Sequence, residues 1–115
     1  MIRTFLVIGL LSMSLPLAAE AIDGILVDKT CASGIEKRGY QAAERHTRKC
    51  ALMPKCQENG YGVVTDDGKF LKFDAAGDEK ALAALKETTE EEGLVVLIEG
   101  KIEGDTVAVK SLRIF

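Results

Sequence analysis

An apolar segment at the amino terminus constrains this chain more than any other feature. Residues 5–17 are mostly apolar, Arg3 is the only positive charge before them, and an Ala-Glu-Ala sequence ending at Ala21 suits signal peptidase cleavage. The 13-residue run is shorter than the ~20 residues of a membrane-spanning helix. We therefore predict a signal peptide at residues 1–21, a mature domain at residues 22–115 without a transmembrane segment, and a periplasmic or secreted location.

The composition of the chain excludes several classes of function. A mature length of 94 residues allows one domain. The net charge of −3 lacks the basic excess of nucleic-acid-binding proteins, and six aromatic residues with no tryptophan offer few stacking platforms. No Ser-His-acid spacing, phosphate-binding loop or carboxylate pair is recognisable. We therefore expect a protein that is not an enzyme and does not bind nucleic acid.

Hydrophobic patterning predicts the order strand, helical insertion, strand, strand, helix, strand, strand. The predicted strands occupy residues 22–28, 60–65, 70–73, 94–98 and 106–115, and the predicted helices occupy residues 35–52 and 79–87, the second capped by Asp78. Gly100 is expected to bend a strand, and a register change is expected near Ser111.

This order is the plan of an OB-fold. The expected fold class is therefore mainly β with helices: a five-stranded OB-like barrel. A helical insertion at about residues 32–57 separates strands 1 and 2, and a further helix separates strands 3 and 4. A small α+β sandwich built from the same elements is the alternative.

Three stretches carry a resemblance to a known group of proteins. They are Gly24-Ile25-Leu26-Val27-Asp28-x-x-Cys31, Cys56-x-x-x-Gly60-x-Gly62-Val63 and Val95-x-Leu97-x-x-Gly100-x-x-x-Gly104-Asp105-Thr106-Val107-x-Val109-x-Ser111-Leu112. With them the chain resembles small exported bacterial OB-fold proteins of largely uncharacterised function, over nearly all of its mature length. Because the motifs are mostly structural glycines and strand patterns, the resemblance implies a fold and an exported location but no activity.

All three cysteines lie in the predicted insertion, beside the only histidine. Thiols tend to pair in an oxidising compartment, so the disulfide candidates are Cys31, Cys50 and Cys56. The favoured bridges are Cys31–Cys56 and Cys31–Cys50, and the first would contribute about 3 kcal/mol by restricting the unfolded chain. The odd cysteine would be free or would link two copies, so the chain is expected to be a monomer or a covalent dimer.

The same segment also offers metal ligands. His46 and Cys50 are four residues apart, so on a helix both would project from one face. The candidate ligands are Cys31, His46, Cys50, Met53 and Cys56. Three thiolates and an imidazole suit tetrahedral Zn²⁺, whereas thiolate and thioether donors suit Cu(I). A single helical histidine among charged neighbours is, however, more typical of a solvent-exposed residue.

Charge is unevenly distributed along the chain. The insertion carries a predicted basic face made of Lys37, Arg38, Arg45, Arg48, Lys49 and Lys55, whereas acidic residues dominate after residue 74. Such a face is compatible with ordinary solvation, or with an acidic partner, anionic lipid headgroups or an anionic ligand.

The expected function is therefore a non-catalytic exported binding or interaction module, stabilised by a disulfide, for an unidentified small ligand or protein partner. The alternative is a soft-metal (copper or zinc) or redox-active site formed by the cysteine, histidine and methionine cluster.

Overall fold

A computed structural model describes residues 19–115, so most of the predicted signal peptide lies outside the described residues. The elements are β1 (Glu20–Asp28), α1 (Lys29–Arg38), α2 (Tyr40–Glu44), α3 (Arg48–Ala51), α4 (Pro54–Asn59), β2 (Tyr61–Val64), β3 (Phe70–Phe73), α5 (Ala75–Glu87), β4 (Val95–Glu103) and β5 (Thr106–Ile114). Strand β1 begins two residues before the predicted mature terminus. Within residues 19–115, no helix has the length and apolar character needed to cross a membrane.

The five strands form one mixed sheet that closes into a ring in the order β1-β2-β3-β5-β4. Strand β4 pairs back onto β1, and all neighbouring strands are antiparallel except β3 and β5. That parallel pair is short, joining Lys72 to Thr106 and Phe73 to Val107. The prediction of five strands in one sheet with helices is confirmed, and the single closed sheet differs from the sandwich alternative. Helical residues are about as numerous as strand residues, so the domain is mixed rather than mainly β.

Gly100 marks a bulge in the long β4–β5 pair. Glu99 lies opposite Ser111 but Gly100 lies opposite Val109, so Lys110 is the extra residue on β5. The predicted bend at Gly100 and the predicted register change near Ser111 are both confirmed. A Cβ atom at Gly100 would lie 2.5 Å from the carbonyl oxygen of Ala108, so the sheet can approach this closely only at a glycine.

From Gly24 onward, strand β1 is buried on both of its faces because two hydrophobic cores meet across it. Leu26 faces a core inside the ring that gathers residues from all five strands together with α3 and α5. Ile25 and Val27 face a second core on the outside of the ring, shared with Ile35 of α1 and Ala43 of α2. The helical insertion therefore packs over the β1–β2 part of the ring, and its position relative to the sheet is fixed by burial.

The ends of the insertion lie close together, as the strand order predicts. The backbone N–H of Lys29 donates to the carbonyl of Gly60 at 2.9 Å, and the side-chain amide of Asn59 donates to Thr30 Oγ1 at 2.8 Å. Between these ends, the prediction of one continuous helix over residues 35–52 is wrong. Gly39 ends α1 with a φ of +86°, which strongly favours glycine.

The start of α5 also differs from the prediction. Asp74, not Asp78, caps the helix by accepting a hydrogen bond from the N–H of Gly77 at 2.9 Å. Asp78 instead accepts the N–H of Tyr61 at 2.8 Å and pairs with Lys29 Nζ at 3.1 Å. Its carboxylate therefore ties α5 to the place where the insertion meets β1 and β2.

Replacing Tyr61 with phenylalanine is expected to cost about 1–3 kcal/mol of unfolding free energy, because a buried carbonyl loses its donor. The Tyr61 hydroxyl is buried and donates to the carbonyl of Ala51 at 2.7 Å. Urea unfolding measures the loss, and Tyr40→Phe, at a half-buried position, is the control, with a change below about 0.5 kcal/mol. An equal loss in both variants would contradict this role.

Burial raises the pKa of Tyr61 to about 12. The protonated phenol is therefore favoured in the native state. Its contribution to stability is complete below the unfolded value of about 10 and is lost as the pH rises through the folded value.

Candidate metal centre

The site is built around Asp28, the last residue of β1 and the N-cap of α1. Alternation along β1 directs Asp28 toward the same side as Leu26, at the end of the ring interior. The residue is completely buried, and its Oδ2 accepts the backbone N–H of Cys31 at 2.9 Å. A carboxylate is thus held in the interior by its strand and by the first turn of a helix.

His46 lies in the connection between α2 and α3 and not within a helix. Its backbone N–H donates to the carbonyl of Ala43 at 3.1 Å. The next residue, Thr47, caps α3 and forms an isolated β-bridge with Glu92. These contacts turn the imidazole inward, and only 7% of the side chain is exposed. The expectation that this histidine is solvent-exposed is therefore wrong.

Asp28 and His46 approach each other very closely. His46 Nε2 lies 2.7 Å from Asp28 Oδ1. Both atoms are buried, and each has the other as a near polar neighbour. Within residues 19–115, no other aspartate, glutamate, lysine, arginine or histidine is buried. The pair therefore places a carboxylate and an imidazole, two common types of metal ligand, side by side in the interior.

Two cysteines complete a compact group of potential ligands. Cys31 lies in the first turn of α1, and Cys50 lies on α3, where its backbone N–H donates to Thr47 Oγ1 at 3.1 Å. One ligand atom from each of Asp28, Cys31, His46 and Cys50 lies within 4.8 Å of all the others. The structure therefore brings together three of the five predicted ligands and adds a carboxylate.

The other two predicted ligands occupy different positions. Cys56, on α4, is buried beside Asp28 but is not one of the four grouped residues. Met53 is 53% exposed at the start of α4, so its thioether is not part of the buried group.

The electrostatics of the group centre on the carboxylate. Burial disfavours the charge of Asp28, but the nearby His46 and the N–H of Cys31 more than offset this and hold its pKa below the ordinary value. Burial, Asp28 and Cys50 together raise the pKa of Cys31 to about 12, and burial with Asp28 also raises that of Cys56. Without a cation, an ionised carboxylate at Asp28 therefore lies next to the protonated thiol of Cys31.

The donor set fits a tetrahedral cation. With Zn–S, Zn–N and Zn–O bonds of about 2.0–2.3 Å, ligand atoms around zinc lie roughly 3.3–3.8 Å apart. The observed separations, from 2.7 Å for the Asp28–His46 contact to at most 4.8 Å, bracket this range. Small side-chain rotations would therefore bring four donors of three chemical types to one centre.

The three cysteines are free thiols in this structure. Cys31 and Cys50, whose sulfur atoms belong to the four-atom group, are within 4.8 Å of each other. The predicted disulfide is thus not formed here, and its pairing stays a prediction.

A surface cleft opens directly over the group. Its volume is about 420 Å³, and its walls include the thiols of Cys31 and Cys50, the His46 ring and the side chains of Arg38 and Arg45. The two sulfur-bearing residues are half-buried and the two arginines are exposed. The site is therefore reachable from solvent on its sulfur side, whereas Asp28 closes the opposite side.

The predicted basic face divides into two groups. Arg48 is half-buried and points toward α5, donating from Nε to the carbonyl of Leu85 at 2.6 Å and from Nη2 to that of Lys86 at 3.4 Å. Arg48 therefore caps the carboxyl end of α5, where a positive charge interacts favourably with the helix dipole. The others are exposed: Lys37, Arg38, Arg45, Lys49 and Lys55.

Comparisons of this chain with protein-family models, with curated proteins and with solved structures found no match. The chemistry of the site is therefore the guide to function.

Asp28 is not among the site residues predicted from the sequence. The sequence does contain a signal for this residue. A carboxylate follows a strongly apolar strand and precedes a cysteine by three positions. A helix N-cap and the backbone N–H that it accepts are separated by the same distance along the chain. Treating residue 28 as a cap would also have placed Cys31 in the first turn of a helix.

Proposed function

We propose that this protein is a non-catalytic metal-binding module that holds one Zn²⁺ ion through Asp28, Cys31, His46 and Cys50. The observation that carries the proposal is the grouping of a carboxylate oxygen, an imidazole nitrogen and two sulfur atoms within 4.8 Å of one another, around the buried Asp28–His46 contact. A cation would replace that contact with four metal–ligand bonds.

Zinc fits these donors better than copper does. Cu(I) prefers soft thiolate and thioether ligands, but Asp28 supplies a hard oxygen and the thioether of Met53 is exposed. Zn²⁺ accepts oxygen, nitrogen and sulfur together in a tetrahedron. Of the two metals, zinc is therefore the proposed ion, and Cu(I) is the competitor that the test includes.

A binding role is favoured over catalysis because four protein donors fill a tetrahedral shell. Catalytic zinc sites keep one position open for water or substrate, with three protein ligands. A centre with four protein ligands instead holds its metal or exchanges it with other ligands. The cleft over the sulfur atoms gives such exchange a route.

Cobalt titration of the reduced protein tests the proposal. A tetrahedral site with two thiolates is expected to give intense visible d–d bands and a sulfur-to-cobalt charge-transfer band, saturating at one equivalent. Zn²⁺ should then displace the cobalt. Displacement by Cu(I) but not by Zn²⁺, or the absence of the sulfur band, would overturn the assignment.

Variants test whether the titrated metal binds at the proposed site. Cys50→Ser and His46→Ala each remove one proposed donor and are expected to weaken Zn²⁺ binding by at least about 100-fold, since even loss of a supporting contact costs 10–100-fold. Met53→Leu is the matched control, because it changes a neighbouring exposed ligand type and should leave the affinity unchanged. Equal affinities in all three variants would contradict the site.

We also propose that the ring is an OB-fold and that the protein is exported. The strand order, with a helix between β3 and β4, supports the fold assignment. Export is tested by the intact mass of the protein from a periplasmic extract, with Ile22 expected at its amino terminus. Recovery of the full-length chain from the cytoplasm would contradict it.

A further inference from the structure

We infer that Cys31 and Cys50 form a dithiol–disulfide couple, and that a small disulfide in the cleft oxidises them and thereby removes both sulfur ligands from the metal centre. This inference rests on the proposed function for its metal-release part. The dithiol couple itself depends only on the placement of the two cysteines.

Proximity selects this pair among the three cysteines. The sulfur atoms of Cys31 and Cys50 lie within 4.8 Å of each other, whereas a disulfide bond is about 2.05 Å long. Rotation about the two Cα–Cβ bonds can supply a movement of this size. Cys56 is buried, is not one of the four grouped residues and does not line the cleft, so it is the cysteine expected to stay reduced.

Access also selects this pair. Both thiols line the cleft of about 420 Å³, and the exposed guanidinium groups of Arg38 and Arg45 line it too. In residues 19–115, neither arginine forms a salt bridge with a carboxylate. Positive charge at the entrance raises the local concentration of anions, so an anionic disulfide such as oxidised glutathione suits the cleft.

The reaction is a thiol–disulfide exchange in two steps. The Cys50 thiol gives up its proton and its sulfur attacks the small disulfide, which forms a mixed disulfide and releases one small thiolate. The Cys31 thiol then gives up its proton and its sulfur attacks the Cys50 sulfur of the mixed disulfide, which closes the Cys31–Cys50 bond and releases the second small thiolate. The protein loses two electrons, the reagent gains them, and protons leaving the cysteines pass to the released thiolates or to solvent.

Closure of the bond would dismantle the metal centre. A disulfide sulfur is not a thiolate ligand, so Asp28 and His46 would be left as the only donors of the group of four. Two donors hold Zn²⁺ far more weakly than four, so oxidation is expected to lower the affinity by more than about 100-fold. Reduction by excess small thiol would restore it.

The test begins with metal-free reduced protein. Treatment with oxidised glutathione is expected to lower the titratable thiols from three to one and to remove two hydrogen atoms from the intact mass. Peptide mapping should identify the Cys31–Cys50 bridge. A bridge to Cys56, or glutathione adducts that persist without an internal bond, would overturn the inference.

Variants and a metal assay separate the possible failures. Cys56→Ala should still form the bridge, with Cys56→Ser as a second variant if alanine disturbs folding, whereas Cys31→Ser should accumulate only a glutathione adduct. Zinc release is then followed with a chromophoric chelator during oxidation of the loaded protein. Zinc that stays bound after the bridge forms would overturn the inference. If the bridge forms but the reduced protein binds no zinc, the proposed function fails and the dithiol couple stands.

Discussion

Replacing Asp28 with alanine is expected to lower the unfolding free energy of the metal-free protein by about 2–4 kcal/mol, because loss of a helix cap costs about 1 kcal/mol and a buried polar group left without its partner costs about 1–3 kcal/mol. The carboxylate is completely buried, caps α1 through the N–H of Cys31 and lies 2.7 Å from His46. Its removal leaves a helix end without its cap and an imidazole without its neighbour. Urea unfolding with the metal chelated measures the change.

Two further variants make this result specific. Asp28→Asn keeps an acceptor for the helix cap and should lose less stability than alanine. Asp105→Ala removes an exposed carboxylate from a 3.8 Å pair with Lys72 and should change stability by less than about 1 kcal/mol. A loss at Asp28 no larger than that at Asp105 would contradict the central role of the buried carboxylate.

The difference in unfolding free energy between wild type and Asp28→Ala is expected to depend on pH. The pKa of Asp28 is held below its ordinary value by His46 and Cys31, against the opposing effect of burial, so the ionised form is favoured in the native state. Its contribution is complete above the unfolded pKa of about 3.9 and is lost as the pH falls through the lower folded pKa. The stability difference between wild type and Asp28→Ala should therefore narrow in acid.

Zinc is expected to stabilise the reduced protein by about 4 kcal/mol when the free metal is 1,000 times its dissociation constant, because the ion binds the folded state. For a domain of this size, that corresponds to a rise of roughly 15 °C or more in the thermal midpoint. The physical cause is that a bound metal would link β1, α1, α3 and the α2–α3 connection, which the chain alone joins mainly by packing. Thermal unfolding followed by circular dichroism, with and without metal, measures the shift.

Two protein variants and a second metal ion test whether the stabilisation comes from zinc at the proposed site. Cys50→Ser should lose most of the shift, and Lys55→Gln, a change of an exposed neighbouring residue, should retain it. Mg²⁺, which prefers oxygen ligands in octahedral geometry, should give no comparable shift. A rise of the same size in Cys50→Ser would place the zinc elsewhere.

The strands were predictable because their patterns are local. The apolar run after Gly93 predicts the strand that becomes β4, and Gly100 predicts its bulge, because only a small residue permits close backbone approach there. The positions where the helices break were less predictable. The residues between Ile35 and Leu52 are compatible with one helix, and the break after α2 depends on the pairing of Thr47 with the distant Glu92.

The chemical composition of the site was predictable, but its geometry was not. Cys31, Cys50 and His46 stand out as the reactive residue types in one short segment, whatever the fold. The prediction that a helix places His46 and Cys50 on one face is nevertheless wrong, because no helix contains both residues. They lie close together because Thr47 and Arg48 are anchored on the segments after α5 and at its end.

The sequence by itself determined a small domain of five strands with helices, whose cysteines and histidine are gathered in a basic insertion. These properties follow from periodicity, composition and spacing along the chain. Tertiary structure decided that Asp28 joins the site, that Met53 lies exposed and that His46 is buried. The physical reason is that burial and ligand geometry depend on which distant segments pack together, and the closure of the ring brings those segments to one end of β1.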